Sequence, residues 1–249
     1  MSNPTAPQAL PWLLISDIDE TLTGDPEALI DLANAIEHAS DRLIFAVNSS
    51  RPAVSVAPTL ANEFPANLVP AAQITALGTE ISIDGNKLAT WRSQFSNWPH
   101  RKVFELLTGL GHVPHDPVYQ TAQKVSFAIR GERSQIAARR ALSDAGIECR
   151  IIVSGDDDFD VIPTGAGKAA ATRFLAAHFG TDLSHLVVAG DSGNDLDMFQ
   201  AARHRIAVGN ARKELIDALE PGSFYHARNA HAAGVREGLV HFGALPGPD

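Results

Sequence analysis

Three short apolar runs that stop abruptly at polar residues set the tightest limit on the fold. They are Leu13–Ser16 before Asp17, RLIFAV (42–47) before Asn48, and HLVVAG (185–190) before Asp191. Each is apolar almost throughout rather than alternating, as expected for a strand covered on both faces. AAQITAL (71–77) reads as a further strand. Amphipathic helical segments separate these runs. In DPEALIDLANAIEHA, Asp25 is placed to cap the helix, Pro26 fits its first turn, and Leu29, Leu32, Ala33 and Ile36 form one apolar face. From residue 168 the alternation resumes with a helix over KAAATRFLAAHFG, ending at Gly180. After HLVVAG come a helix around DLDMFQAARH, a strand RIAVG and a helix RKELIDALE. This rhythm predicts an α/β fold: a doubly wound, Rossmann-like parallel sheet with helices on both faces.

The middle of the chain breaks the rhythm. ISIDGNKLAT carries an Asp84-Gly85 hairpin signal. It is followed by a helix (RKVFELLTGL), an alternating strand (KVSFAIR), a helix (SQIAARRALSDAG) and a strand (CRIIVS). Antiparallel strands with two helices predict an inserted α+β unit. The expected division is a core of residues 1–84 and 163–249, with a smaller domain over residues 85–162.

Composition narrows the function classes. Lys and Arg total 20 against 29 Asp and Glu, a formal charge of −9, with no basic block, which argues against a nucleic-acid partner. No apolar run approaches a membrane span, and MSNPTAPQALPW lacks the basic and apolar parts of a signal peptide. Cys149 is the single cysteine, so no internal disulfide can form. The expectation is a cytoplasmic protein without membrane partners, a monomer or weak homodimer.

Asp17 and Asp19 flank one isoleucine at the end of the first strand. If the strand ran on, their carboxylates would share a face and repel. The second strand ends in Asn48-Ser49-Ser50-Arg51, and a later one in Asp191-Ser192-Gly193-Asn194-Asp195. Ligands of parallel α/β sheets bind beyond the carboxyl ends of the strands, so these groups are expected to converge. Two like charges about 4 Å apart repel by ~4 kcal/mol at an effective dielectric near 20. A hard divalent cation relieves this, and Mg²⁺ leaves room for water and a phosphate. Lys168 opens a helix, where the macrodipole disfavours a cation. Its position makes sense beside an anion or an ionised aspartate, and such parts can hold a phosphoryl group.

DIDET (17–21), strand-ending Ser49, Lys168 and GDSGND (190–195) resemble, in order, the four motifs of haloacid dehalogenase-type phosphatases. The insertion is similar to the larger α+β cap of one subgroup. LGTEI (77–81) and VSGDDDFDVIPTGAGK (153–168) resemble the sucrose-phosphatase family and its relatives that act on mannosylfructose phosphate. The resemblance implies that Asp17 is the nucleophile forming an aspartyl-phosphate and Asp19 the general acid and base. It implies that Ser49 and Lys168 hold the phosphoryl group. Mg²⁺ would lie among Asp17, the Asp19 carbonyl and Asp191, with Asn194 and Asp195 ordering its shell. Ser50, Arg51, Glu80, Lys124 and Asn194 are candidate substrate contacts, as are Asp156 and Asp158 at the junction of cap and core. One departure is Ser49-Ser50-Arg51 in place of the usual Thr-Gly-Arg, which puts a Cβ where glycine gives the backbone freedom.

The implied function is Mg²⁺-dependent hydrolysis of a sugar phosphate, most specifically a disaccharide phosphate such as sucrose 6-phosphate or mannosylfructose phosphate. A phosphotransferase or mutase, or a phosphatase of a monosaccharide phosphate or another small phosphorylated metabolite, is the alternative. Other patterns fail. Gly165-Ala-Gly167-Lys-Ala-Ala170 mimics a dinucleotide fingerprint, but Pro163 intervenes after the strand. The run Asp156, Asp157, Asp158, Asp160 lacks the glycine and glutamate of a calcium loop. His112 and His115 straddle Pro114 without a helix to give them one face.

Overall fold

The computed structural model describes residues 10–247; residues 1–9 and 248–249, which include most of the MSNPTAPQALPW segment, lie outside them. In chain order the strands are β1 (Trp12–Ser16), β2 (Leu43–Asn48), β3 (Ala72–Thr75), β4 (Glu80–Ile83), β5 (Asn86–Lys87) and β6 (Val113–Pro114). They continue as β7 (Val125–Ala128), β8 (Cys149–Ser154), β9 (Asp158–Pro163), β10 (Leu186–Gly190), β11 (His204–Ala207) and β12 (Tyr225–His226). Eight form one sheet in the order β12-β11-β10-β1-β2-β3-β4-β5, and four form a second in the order β6-β7-β9-β8.

In the large sheet β12 through β3 are parallel, and β4 and β5 extend it antiparallel. β1 sits at the centre because its side chains are apolar on both faces. Leu14 packs with Leu29, Leu32 and Val235 on one side, whereas Leu13 and Ile15 pack with Leu175, Met198 and Phe199 on the other. Asp25 caps the helix Pro26–His38 by accepting the Ala28 N–H at 3.1 Å, with Pro26 in its first turn. Strand order runs outward from β1 in one direction and from β10 in the other. The crevice beyond β1 and β10 is therefore a topological switch point, where parallel α/β sheets bind ligands.

The small sheet is wholly antiparallel. Val125 and Phe127 pair with Val161 and Phe159, and these four bury against Val103 and Leu107 of the helix His100–Gly109 and Ala138 and Leu142 of the helix Glu132–Asp144. Strand alternation puts Ser126 and Asp160 on the opposite face. Both are nevertheless buried, as is Lys124 just before β7. This polar face is covered by the core. Leu77, Phe95, Ile162 and Ala166 form an apolar joint between the two units.

Several elements differ from the sequence expectation. The helix expected around DLDMFQAARH is only Leu196–Phe199, entered by a 3₁₀ turn at Gly193–Asp195. The helix Ala53–Asn62 contains Pro58, which masked it in the sequence. β9 was unread because its acidic start resembles a turn. The hairpin over Asp84-Gly85 forms, but β5 pairs in the large sheet. Among the described residues no helix is long and apolar enough to cross a membrane.

Candidate active site

β1 ends at Ser16, and Asp17 follows as the chain leaves the sheet, its N–H donating to Ala189 of β10 at 2.9 Å. That bond fixes the first acidic turn beside the one that follows β10. Lys168, fully buried at the start of the helix Lys168–His178, sends its Nζ to Oδ1 of Asp17 and to Oδ1 of Asp195, each at 2.6 Å. The macrodipole cost of a lysine there is offset by two charge-assisted bonds in a dry setting. Asp195 is fully used: its Oδ2 accepts the N–H groups of Asp191 and Ser192 at 3.0 and 3.1 Å. Asp191 Oδ1 accepts from Thr21 Oγ1 at 3.0 Å.

The carboxylates of Asp17, Asp191 and Asp195 each offer an oxygen within 4.8 Å of the others, and all three residues are buried. Three carboxylates against one ammonium leave two negative charges, the complement of one divalent cation. The donors are all hard oxygens, which suits Mg²⁺. The electrostatics carry the same message. Burial pushes the Asp17 carboxyl well above its ordinary range; Lys168 opposes this, while Asp195 and Asp191 add to it. Burial, reinforced by Asp195, pushes Asp191 up to about 7, against the pull of Thr21, Lys168 and Arg212. Burial disfavours the Lys168 charge, but Asp17 and Asp195 outweigh it and hold the ammonium above its usual range.

Asp19 corrects the expectation of four converging carboxylates. It lines the same cavity but is not one of the three clustered carboxylates; it pairs with Arg51 Nε at 2.8 Å, with about half its surface exposed. The strand has already ended, so Asp17 and Asp19 do not share a strand face and their repulsion is avoided. Arg51 also donates to Ser55 O and Thr59 Oγ1, tying it to the helix Ala53–Asn62. Ser49 is buried at the end of β2, and its Oγ accepts the Arg51 N–H at 3.1 Å. Ser50 lines the site, and its backbone stays outside the left-handed region, so the Cβ that replaces glycine is tolerated.

Asp17, Asp19, Ser50, Asp191 and Asn194 line one cavity of about 110 Å³, together with Glu20, Ser192 and Arg212 of the core and Ser154, Gly155 and Asp158 of the inserted unit. Lys124 lies at its edge, where its Nζ donates to Ser50 O and pairs with Asp160, both at 3.1 Å. Asp158 pairs with His115 Nε2 at 3.1 Å. Burial raises the Asp158 carboxyl, Asp160 adds to this, and His115 opposes it. Asp156 is exposed and Asp157 pairs with Arg130.

Glu80, like Asp156, is a candidate that does not line this cavity. Its Oε2 accepts the Ala53 N–H at 3.2 Å and the Thr75 hydroxyl at 3.0 Å, and it lines a separate cavity of about 590 Å³ beside β4. It serves a helix start. The sequence reading also missed Thr21, Arg212 and His115 as site neighbours. Thr21 lies within DIDET and was the one with a signal; the other two reach the site only through tertiary packing.

A parallel sheet with a switch-point acidic cluster, a bridging lysine and an inserted α+β unit is the architecture of haloacid dehalogenase-like proteins. A haloacid dehalogenase-like hydrolase from Bacillus subtilis shares the fold with a TM-score of 0.65 at 18% identity, covering 95% of this chain and 93% of that one. The family model described as Sucrose-6F-phosphate phosphohydrolase matches residues 10–243, and the chain belongs to that family. It is 30% identical to the mannosylfructose-phosphate phosphatase of Agrobacterium fabrum, over 94% of this chain and 98% of the relative. It is 29% identical to sucrose-phosphatase 1 of Nicotiana tabacum over 94% of this chain, but spans only 60% of that relative's length. The structure of the sucrose-phosphatase from Synechocystis in complex with sucrose and phosphate superposes with a TM-score of 0.85 at 27% identity, covering 94% of this chain and 99% of that one.

Proposed function

We propose that this chain is a Mg²⁺-dependent phosphatase that hydrolyses the phosphate ester of a disaccharide through an aspartyl-phosphate. The observation that carries the reading is Lys168 clamped between Asp17 and Asp195 beside Asp191. Family membership supports it, and the names of the relatives support a disaccharide phosphate of the sucrose or mannosylfructose type.

Lys168 occupies Asp17 Oδ1, which leaves Oδ2 to attack phosphorus. The ammonium and the Ser49 hydroxyl then take the charge of the equatorial phosphoryl oxygens. Asp17 and Asp191 are the residues that would hold Mg²⁺, while Asp195, with both oxygens engaged, fixes Lys168 and the 191–192 backbone. The ion, when bound, supplies charge neutralisation at the phosphoryl group. Asp19 protonates the departing sugar oxygen and then takes a proton from the hydrolytic water, typically worth ~10²–10⁴-fold. For this the Asp19–Arg51 pair must open, which frees Arg51 to contact the substrate.

The inserted unit, read as residues 85–162, acts as the cap. Since β5 pairs in the large sheet, the moving part begins after Lys87. A cavity of about 110 Å³ is too small for a drug-sized ligand, whose pockets run from ~300 Å³ upward, so the sugar enters with the cap displaced. Incubation with a panel of sugar phosphates is expected to release inorganic phosphate only with Mg²⁺, fastest from a disaccharide phosphate, and Asp17→Asn is expected to abolish release. No Mg²⁺-dependent release across the panel would defeat the reading. Equal turnover of a hexose phosphate would defeat its disaccharide part.

A further inference from the structure

The seat of the cap on the core passes through a residue that belongs to neither the acidic cluster nor the lysine clamp. Glu214 lies in the first turn of the short helix Lys213–Ala218, which follows the loop after β11. A single carboxylate oxygen, Oε1, accepts two backbone N–H groups. One comes from Gly193 at 2.9 Å, in the loop that carries Asp191, and the other from Gly155 at 3.3 Å, at the tip of the β8–β9 hairpin. Gly193 packs so closely that a Cβ there would sit 3.0 Å from the same Oε1. The guanidinium of Arg212 covers the other side of Gly155, where an added Cβ would lie 3.2 Å from its NH1. The Arg212 N–H also donates to Asp191 O at 2.7 Å. The 212–214 turn thus grips the acidic loop and the cap tip at once.

We infer that Glu214 is a positioning residue that couples cap seating to order in the Asp191 loop, its Oε1 joining the Gly155 and Gly193 N–H groups. The inference rests on the phosphatase reading above. When the cap lifts to admit a sugar, the Gly155 bond breaks and Glu214 keeps only Gly193. When it closes, the second donor pins the carboxylate, and with it the loop that presents Asp191. Seating of the cap tip and readiness of the acidic loop then favour each other, and such coupling acts equally in both directions. The joint needs an acceptor oxygen rather than a charge, so an amide of the same shape keeps it.

The test uses the full chain and two variants, Glu214→Ala and Glu214→Gln. Three quantities are read: hydrogen exchange over residues 153–159, Mg²⁺ affinity by calorimetry, and steady-state kinetics at saturating Mg²⁺. The kinetic probes are the sugar phosphate that the wild type turns over best and p-nitrophenyl phosphate, whose leaving group needs no cap contact. Glu214→Ala is expected to speed exchange at the hairpin tip and weaken Mg²⁺ binding by about tenfold, ~1.4 kcal/mol. It is expected to lower kcat/KM for the sugar phosphate about tenfold more than for p-nitrophenyl phosphate, chiefly through KM. Glu214→Gln is expected to restore all three. Equal losses on both esters would overturn the coupling, as would unchanged exchange at the tip or a Gln variant that behaves like Ala. Inactivity of the wild type on every ester would instead sink the underlying phosphatase reading.

Discussion

The two sheets handle buried charge differently. At the edge of the large sheet Asp17, Lys168 and Asp195 are almost completely buried, and every short contact among them is formed before any substrate arrives. In the inserted unit Lys124–Asp160 is comparably buried, whereas Asp158–His115 and Asp157–Arg130 are partly exposed. Surface ion pairs contribute ~0–1 kcal/mol, while removing one partner of a buried pair costs ~3–5 kcal/mol. On the phosphatase reading, the core therefore holds Asp17, Lys168 and Asp195 rigidly, whereas the half-exposed Asp19 and the partly exposed cap pairs can exchange partners for a substrate.

The comparison breaks most sharply at Lys168. Lys168→Met keeps an unbranched side chain one atom shorter but leaves Asp17 and Asp195 facing each other without a cation. Phosphate release from every ester, large or small, is expected to fall ~10³-fold, and denaturant unfolding to show ~3–5 kcal/mol less stability unless the carboxylates protonate. A variant that lost activity on sugar phosphates but kept it on p-nitrophenyl phosphate would show that Lys168 serves recognition instead. Lys124→Met should do what Lys168→Met does not. It is expected to raise KM for the sugar phosphate ~10–100-fold while p-nitrophenyl phosphate turnover changes little, and comparable losses on both esters would remove the distinction between the two sides.

Acidity sharpens the contrast next. The Asp191 carboxyl is pushed up to about 7 in the folded chain, against ~3.9 for an unperturbed aspartate. Between those values the folded state holds a proton that the unfolded state has released, so raising the pH removes stability. Asp17 moves in the same direction, and the Lys168 shift acts only at far higher pH. In a chelator, thermal unfolding is expected to fall by a few degrees between about pH 5.5 and 7.5, at roughly 2–4 °C per kcal/mol. Because Mg²⁺ binds the ionised form, its stabilisation should grow over the same interval. A flat profile with chelator would contradict the crowding of Asp17, Asp191 and Asp195. The smallest effect belongs to the cap rim. His115→Gln is expected to change KM by about threefold or less, consistent with a half-exposed pair.

Much of the core was legible in the sequence because its central strands are buried on both faces. Leu13, Leu14 and Ile15, short and apolar without alternation, fit a covered strand, and the acidic and hydroxylic residues that follow then emerge at its carboxyl end. Lys168 was legible for a similar reason, since a cation at a helix start needs an anion. The cap was harder. β9 begins at Asp158 within an acidic run that looks solvated, yet Asp160 is buried because Lys124, just before the neighbouring strand β7, reaches it. The turn of Asp19 toward Arg51, the use of Glu80 at a helix start and the grip of Glu214 on two glycines all depend on long-range packing. No local pattern encodes them.

The most direct test is to quench a reaction of the wild type with its sugar phosphate in acid and weigh the peptides. The account predicts the mass of one phosphoryl group on the peptide that contains Asp17, formed and lost at rates compatible with turnover and absent from Asp17→Asn. Steady phosphate release with no phosphorylated Asp17 at any time, or with the phosphoryl group on another residue, would contradict it.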